Sequence, residues 1–364
     1  MIVLAWVALL LALVPLGMTL LNLREFQTPD PAPGRPRISV LIPARNEEAN
    51  IADACAAVLA SAGVDLELIV LDDASTDRTP EILAAIADPR LRVASAPPLP
   101  PGWSGKQHAC HVLSGLAQHE FMVFVDADVR LEFHALSRMA GFMERHPEAG
   151  LASGFPHQRV VTWSERLLLP LIHFLLLGYL PMALMRTRPD VGLGAGCGQL
   201  FIARRTAYQV AGGHAAIRAS LHDGLTLPRA MRRAGTMTLL FDATAMTQCR
   251  MYTNAAQVWE GLCKNATEGM AKPAALPVWT LILGGGQVLP LVLMLVAPSW
   301  PAGVALAVGI GTRLVLAFRF RQPLLSALLH PLGVAGLLVV QWFSLVRAAR
   351  GGQATWRGRA YPAQ

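Results

Sequence analysis

The run VFVDAD (123–128) places two carboxylates, Asp126 and Asp128, one residue apart. That spacing lets both reach a single hard cation and, through it, the oxygens of a diphosphate. A nucleoside diphosphate is a good leaving group only when its developing charge is neutralised in this way. Asp-x-Asp is common by chance, so its weight depends on what accompanies it. A second pair, Asp72 and Asp73, stands in LDDASTDRT (71–79), and another acid, Asp223, stands in LHDG beside His222. GWSGKQHA (102–109) adds a cation, Lys106. Each acid taken alone is equally well read as a cap for the next helix or turn. Two separate runs that both end in paired acids are harder to explain by capping alone.

The elements that must carry these residues are legible around them. ISVLIPA (38–44) is a β-branched run, and in RNEEANIADACAAVLASA (45–62) the apolar positions recur at helical spacing. LELIVLDD (66–73) reads as a second strand, followed by turn residues and a helix, PEILAAIAD, with Pro80 in its first turn. LRVASA (91–96) is a third strand, HACHVLSGLAQ (108–118) a helix and EFMVFVDADV (120–129) a fourth strand. Strands alternating with helices predict an α/β domain with a largely parallel sheet. Ligands of such sheets collect beyond the carboxyl ends of the strands, where Asp72, Asp73, Asp126 and Asp128 all fall. Glu47 and Glu48 have a plainer reading as a solvated first helical turn favoured by the helix dipole.

Of the 364 residues, 53% are hydrophobic and only 15% charged, which excludes an ordinary soluble protein. The deficit is local. Residues 1–23 and 276–312 contain no Asp, Glu, Lys or Arg, and 323–346 hold only His330 among ionisable groups. These are membrane stretches by the criterion of roughly 20 apolar residues. Residues 167–185 also lack those charges, but Pro170 and Pro181 within them bracket a short helix, and a crossing there would separate the acids at 126–128 from Asp223. An interfacial or re-entrant segment over 163–186 is expected instead. Arg24, Arg35 and Arg37 follow the first apolar stretch and none precedes it, which places the globular part on the cytoplasmic face of the cell membrane. Five scattered cysteines, without CxxC spacing, indicate neither a disulfide frame nor a zinc site. The +7 net charge lies largely beside apolar segments, so anionic lipid headgroups account for it better than nucleic acid.

LIPARNEE (41–48), LDDASTDRT, GWSGKQHA and VFVDAD, in that order, resemble the family 2 glycosyltransferases of the GT-A fold. The resemblance continues through GLGAGCGQLFIARRTAYQVAGG (192–213), LHDGLTLPRAMRRAG (221–235) and RMYTNAAQVWEGLCKN (250–265). SGFPHQ (153–158) and WRGRAY (356–361) are similar to the membrane-flanked branch that includes carotenoid and diaponeurosporenoate glycosyltransferases and, more distantly, hopene-associated ones. The fold so implied is α/β, a Rossmann-like GT-A domain with transmembrane helices at both ends. The expected organisation is an anchor at 1–23, a Pro-rich linker at 24–37, a catalytic domain at 38–270, a membrane region at 276–346 and a basic tail at 347–364.

By the same resemblance, Pro43, Arg45 and Glu47 line a nucleoside pocket, and Asp73, backed by Asp72, binds uracil. A carboxylate can accept the imide N–H of uracil, a donor that cytosine lacks. Lys106 and Asp126 lie near the donor UDP-sugar, and Asp126 and Asp128 hold a divalent cation, Mg2+ or Mn2+. Asp223 is the expected base that takes the acceptor's proton, with His222 where the family usually has glutamate. Gln199, Arg250 and Trp259 are assigned to the acceptor or the leaving diphosphate, with Lys264 a further cation. Trp259 is equally well read as an aromatic at a helix–membrane contact. The QxxRW signature of processive members is absent, Gln257-Val-Trp259 standing in its place, so single transfer is expected. The glycines of GLGAGCG mark either a tight turn or a close approach of backbone to the acceptor. They do not form a dinucleotide fingerprint, because a strand-like QLFIA follows.

The expected activity is inverting transfer of one sugar from a UDP-sugar to a lipophilic acceptor such as a carotenoid, hopanoid or other isoprenoid, at the bilayer. Transfer to a polyprenyl phosphate or a glycerolipid is the alternative, and a non-catalytic nucleotide-binding membrane protein is the rival of another class. A transporter is disfavoured because the apolar stretches carry few polar groups besides Gln287, Arg313, His330 and Gln341. At the C-terminus, a full crossing by 323–346 would put Arg347 to Arg359 outside, so either that segment is re-entrant with a break at His330-Pro331 or an upstream stretch does not cross. The sequence does not set the oligomeric state.

Overall fold

The computed structural model describes residues 1–352, 354–356 and 359–361. It divides into two compact units, one of Phe26–His157 with Met182–Arg250, the other of Met1–Glu25, Gln158–Pro181 and Met251–Gln364. This division differs from the expected catalytic domain at 38–270, since 158–181 and 251–270 fall in the second unit.

The first unit is built on an eight-stranded sheet of order β3-β2-β1-β4-β7-β6-β8-β5. The strands are β1 (Arg37–Ala44), β2 (Asp65–Asp72), β3 (Leu91–Ser95), β4 (Phe121–Val125), β5 (Val129–Leu131), β6 (Ala149–Gln158), β7 (Leu200–Arg204) and β8 (Met237–Cys249). β1, β2, β3 and β4 pair in parallel, whereas β4–β7, β6–β7 and β5–β8 are antiparallel. Val40, Leu41 and Ile42 of β1 and Leu68, Ile69 and Val70 of β2 are fully buried. Strands covered on both faces need such unbroken apolar runs. One core gathers Leu41, Ile69 and Phe124 of the sheet with Leu113, Leu227 and Met231 from helices.

Three boundaries fall elsewhere than the periodicity predicts. The helix expected over 45–62 occupies only Ile51–Leu59. Residues 45–50 are instead a loop zipped to the loop after β2: Glu47 N–H donates to Thr79 Oγ1 at 2.8 Å, Glu48 N–H to Asp77 Oδ2 at 3.0 Å, and Thr76 N–H to Asn46 Oδ1 at 2.8 Å. Those polar side chains satisfy backbone donors outside a helix, which is why the charged start of the periodic run does not join it. The helix expected at 108–118 starts earlier, as Gly105–Leu116. The fourth strand breaks after Val125 and resumes as β5.

The Pro-rich stretch after Phe26 is strapped to the helix Ala135–Arg145. Arg138 donates to Pro29 O and Arg145 to Asp30 O, and Ala32 N–H donates to Ser137 O at 2.9 Å. Gly141 makes this possible, since a Cβ there would lie 2.6 Å from Ala32 N.

Among the described residues, the second unit contains four helices long and apolar enough to cross a membrane: Ile2–Glu25, Ala275–Val296, Trp300–Arg319 and His330–Ala349. The second of them is π-helical over Thr280–Val288. The apolar stretch 167–185 is broken among three short helices, Trp163–Leu168 and Leu171–Tyr179 here and Met182–Thr187 in the first unit, none of spanning length. Buried Asn22 donates to Leu177 O and Leu180 O at 2.8 and 2.6 Å, satisfying carbonyls that a helix end leaves bare. Ala354–Trp356 and Arg359–Tyr361 form an antiparallel pair, and Arg357 and Gly358 of the WRGRAY run lie outside the described residues.

Candidate active site

The ends of β1, β2 and β4 deliver the acids. Beyond Ala44 and Asp72 the two loops cross: Asp73 N–H donates to Ala44 O at 2.8 Å, and the Arg45 guanidinium donates back to the carbonyls of Asp73 and Ala74. Ala74 takes a left-handed φ of 53°, and Asp72 Oδ1 accepts from Ser75 N–H at 3.3 Å, so Asp72 caps this turn while Asp73 is buried beside it. Pro43 pairs with Leu71 in register but lies past the residues of β1 that pair with β4, where its missing N–H costs no ladder bond.

At the end of β4, Asp126 meets Lys106 from the first turn of the helix Gly105–Leu116. Lys106 Nζ lies 2.7 and 2.9 Å from the two oxygens of Asp126, 3.0 Å from Asp223 Oδ2 and 2.9 Å from Gly198 O. Burial pulls the ammonium down, but the carboxylates of Asp126 and Asp223 outweigh it and hold the lysine well above its usual value. One cation thus joins two acids about a hundred residues apart in sequence.

Asp223 opens the helix Asp223–Arg233 and accepts from Gly224 N–H at 2.9 Å. The glycines of GAGCG press against it. A Cβ on Gly198 would fall on top of Asp223 Oδ1, and one on Gly224 would lie 2.7 Å from Gly196 O. The close approach in this loop is made to the Asp223 carboxylate, where the acceptor is the neighbour expected from the sequence. His222 precedes the helix, its N–H bonded to Ser220 Oγ at 3.1 Å.

Asp128 sits deeper. Burial, then the charges of Asp126 and Glu47, push its carboxyl up to about 7. Its Oδ1 is buried with no hydrogen-bond partner. A crowded carboxylate with an orphaned oxygen is a fit for a cation, since a positive charge relieves both the repulsion and the unmet acceptor. Among the described residues no three His, Cys, Asp or Glu are arranged to hold a metal ion. Asp126 and Asp128 alone match the way Mg2+ is held, by one or two carboxylates with the remaining ligands from phosphate and water.

Not every expected residue joins this group. Gln199 is a brace behind it: its backbone carbonyl accepts from Asp126 N–H at 3.1 Å and its Nε2 donates to Cys249 Sγ at 2.8 Å. Arg250 follows Cys249 directly after β8. Trp259 falls in the helical unit, where its ring packs 5.2 Å from that of Phe343. One participant is not expected from the sequence: Arg130 clamps the VDAD turn by donating to Ala127 O at 2.8 Å, and its closeness to VDAD is the only sign of it. Glu47, expected at the nucleoside pocket, adds its charge to Asp128.

With this geometry in place, comparison with known proteins gives the class. Residues 39–210 match the model of the family described as glycosyl transferase family 2. The chain has the GT-A fold of glycosyltransferases. It is 27% identical over 269 residues to the 4,4'-diaponeurosporenoate glycosyltransferase of Staphylococcus haemolyticus, 73% of this chain and 66% of that one, so the match spans just under two thirds of that relative. To the enzyme of the same name from Staphylococcus aureus it is 26% identical over 336 residues, 89% of this chain and 88% of the other. A mannosyltransferase from Pyrobaculum calidifontis, solved with GDP-Man and Mn2+, shares the fold at a TM-score of 0.55 and 18% identity, over 94% of this chain and 99% of that one.

Proposed function

We propose that this chain transfers a single sugar, with inversion, from a UDP-sugar to a lipophilic acceptor at the cytoplasmic face of the cell membrane. The observation that carries the reading is the Lys106 bridge, which sets the acid of the donor side, Asp126, and the expected base, Asp223, on one ammonium. The acceptor oxygen attacks the anomeric carbon as the bond from that carbon to the diphosphate oxygen breaks, and UDP departs. Asp126 and Asp128 would hold a divalent cation, which when bound neutralises the leaving diphosphate. Lys106 supplies a second positive charge at that place, and Asp73 accepts the imide N–H of the base. Asp223 takes the proton when the acceptor is a hydroxyl.

The name shared by the two staphylococcal relatives specifies a carboxylate acceptor, diaponeurosporenoate. A carboxylate is already ionised at neutral pH and needs no base, so Asp223 would then only position it. Asp223→Asn separates the cases when donor affinity and turnover are measured side by side with purified protein in lipid. With a hydroxyl acceptor turnover falls by about 10²–10⁴ while donor affinity holds; with a carboxylate acceptor the fall is much smaller. If donor binding collapses together with turnover, Asp223 belongs to the nucleotide site and the base assignment is wrong. Turnover with polyprenyl phosphate or a glycerolipid, and none with isoprenoid alcohols or acids, would replace the acceptor class proposed here.

A further inference from the structure

Three of the four long apolar helices fix their levels by side-chain contacts within the helical unit. Trp6 meets Trp300 edge-on at 4.8 Å, Ala5 packs with Leu293 and Ala302, and Leu9 and Ala12 pack with Ala305. Ile2–Glu25 and Trp300–Arg319 therefore run parallel, and Ala275–Val296 runs against both. Their middles coincide: Leu11 faces Gly285 and Gly286, and a Cβ on Gly309 would lie 2.8 Å from Gln287 Oε1.

The fourth helix does not follow this pattern, although its 20 residues suffice by length. Trp300–Arg319 ends in a reversal, with Arg321 at a left-handed φ of 53° and Gln322 N–H donating to Ala317 O at 2.8 Å. The chain then turns back into the layer. Gln322 Oε1 and Ser326 Oγ accept from the buried Arg313 at 3.0 and 3.4 Å, and His330 reaches Gln287 Oε1 at 3.1 Å. Gln287 lies about 18 Å along its helix at the usual rise of ~1.5 Å per residue, so His330 starts its helix near mid-depth. From there the chain descends again. Leu338 faces Gly284, Trp342 Nε1 donates to Thr280 Oγ1 at 3.0 Å, and Phe343 meets Trp259. As residue numbers rise from 330 to 343, those of their partners fall from 287 to 259.

We propose that Leu324–Ala349 is a re-entrant hairpin seated in a single leaflet, that of the side where Ile2–Glu25 ends and Ala275–Val296 begins, so that the chain crosses the membrane three times. The partner of its tip is the acyl-chain interior of that leaflet: Leu324, Leu325, Leu328 and Leu332 are all exposed there, while Arg313 and His330 face inward and are buried. Charge agrees. Arg24, Lys272, Arg319, Arg321, Arg347 and Arg350 then all lie on one side, and the connection at 297–299 on the other carries no charge.

Two measurements test this apart from the transfer reaction. In sealed vesicles of known orientation, a membrane-impermeant maleimide should label Arg350→Cys from the same side as Arg35→Cys and from the side opposite to Pro298→Cys, each counted above the parent chain. Labelling of Arg350→Cys from the Pro298→Cys side would establish a fourth crossing and overturn the hairpin. A nitroxide at Leu328→Cys in the full chain should be relaxed strongly by oxygen and weakly by a water-soluble nickel chelate. Relaxation chiefly by nickel would put the tip at an interface and also overturn it.

Discussion

Gly198 shows how narrowly the candidate base is held. The methyl of Gly198→Ala would occupy the place of Asp223 Oδ1, with the Gly198 carbonyl tied to Lys106 on its other side, so the carboxylate has to move. Displacing a catalytic group by about 1 Å can cost around 10²-fold in rate. We expect that loss in turnover from Gly198→Ala, with the thermal transition of the protein little changed, measured in parallel on one preparation. Asp128→Asn tests the other end of the site. Removing one anionic ligand should lower turnover by about 10²–10³ and weaken Mn2+ binding, read directly from the electron paramagnetic resonance of free Mn2+, while membrane insertion is unchanged. Unaltered Mn2+ binding and full activity in chelator would remove Asp128 from the cation site.

Among the elements, the parallel half of the sheet was legible because β1, β2 and β4 are buried apolar runs, of which β2 and β4 end abruptly in acids. β7 is signalled by the strand-like QLFIA, but β6 and β8 were not legible, since GLASGFPHQ and the run through FDATAM carry no alternation that separates strand from loop. The loop 45–50 was misread for a different reason: Glu47 and Glu48 are good helix formers, and only the distant Thr79 and Asp77 draw their N–H groups away from a helix. The Lys106–Asp223 contact was equally invisible, being set by the fold. The short turn Gly213–Ile217 carries its own prediction. His214 is buried against Phe124, bonded to Tyr208 Oη at 2.7 Å, and burial chiefly depresses its imidazole to about 3. Between that value and the unfolded value near 6.5, the unfolded chain binds a proton that the folded chain refuses. Stability from this residue is complete above about pH 6.5 and falls as pH drops, by up to ~1.4 kcal/mol per pH unit. Melting temperatures at pH 7 and pH 5 should therefore differ less for His214→Gln than for the unchanged protein.

At the scale of the whole molecule, the apolar helices were plain from composition, yet their number did not give the number of crossings. Length and hydropathy treat Trp300–Arg319 and His330–Ala349 alike. What distinguishes them is where Arg313, Gln287 and Thr280 find partners, and a linear pattern does not contain that. The π-helical stretch Thr280–Val288 has a consequence for how this family can vary. A wide turn of this kind holds one residue more than an α-helix needs. Losing one glycine from Gly284–Gly286 would let the helix rewind regularly while the faces before and after it keep nearly their present phase. Leu293 would still pack with Ala5 and Ala302. Among homologues, a one-residue gap should thus be commoner in this glycine triplet than elsewhere in the long apolar helices, because the wide turn holds the one residue that a regular helix can do without.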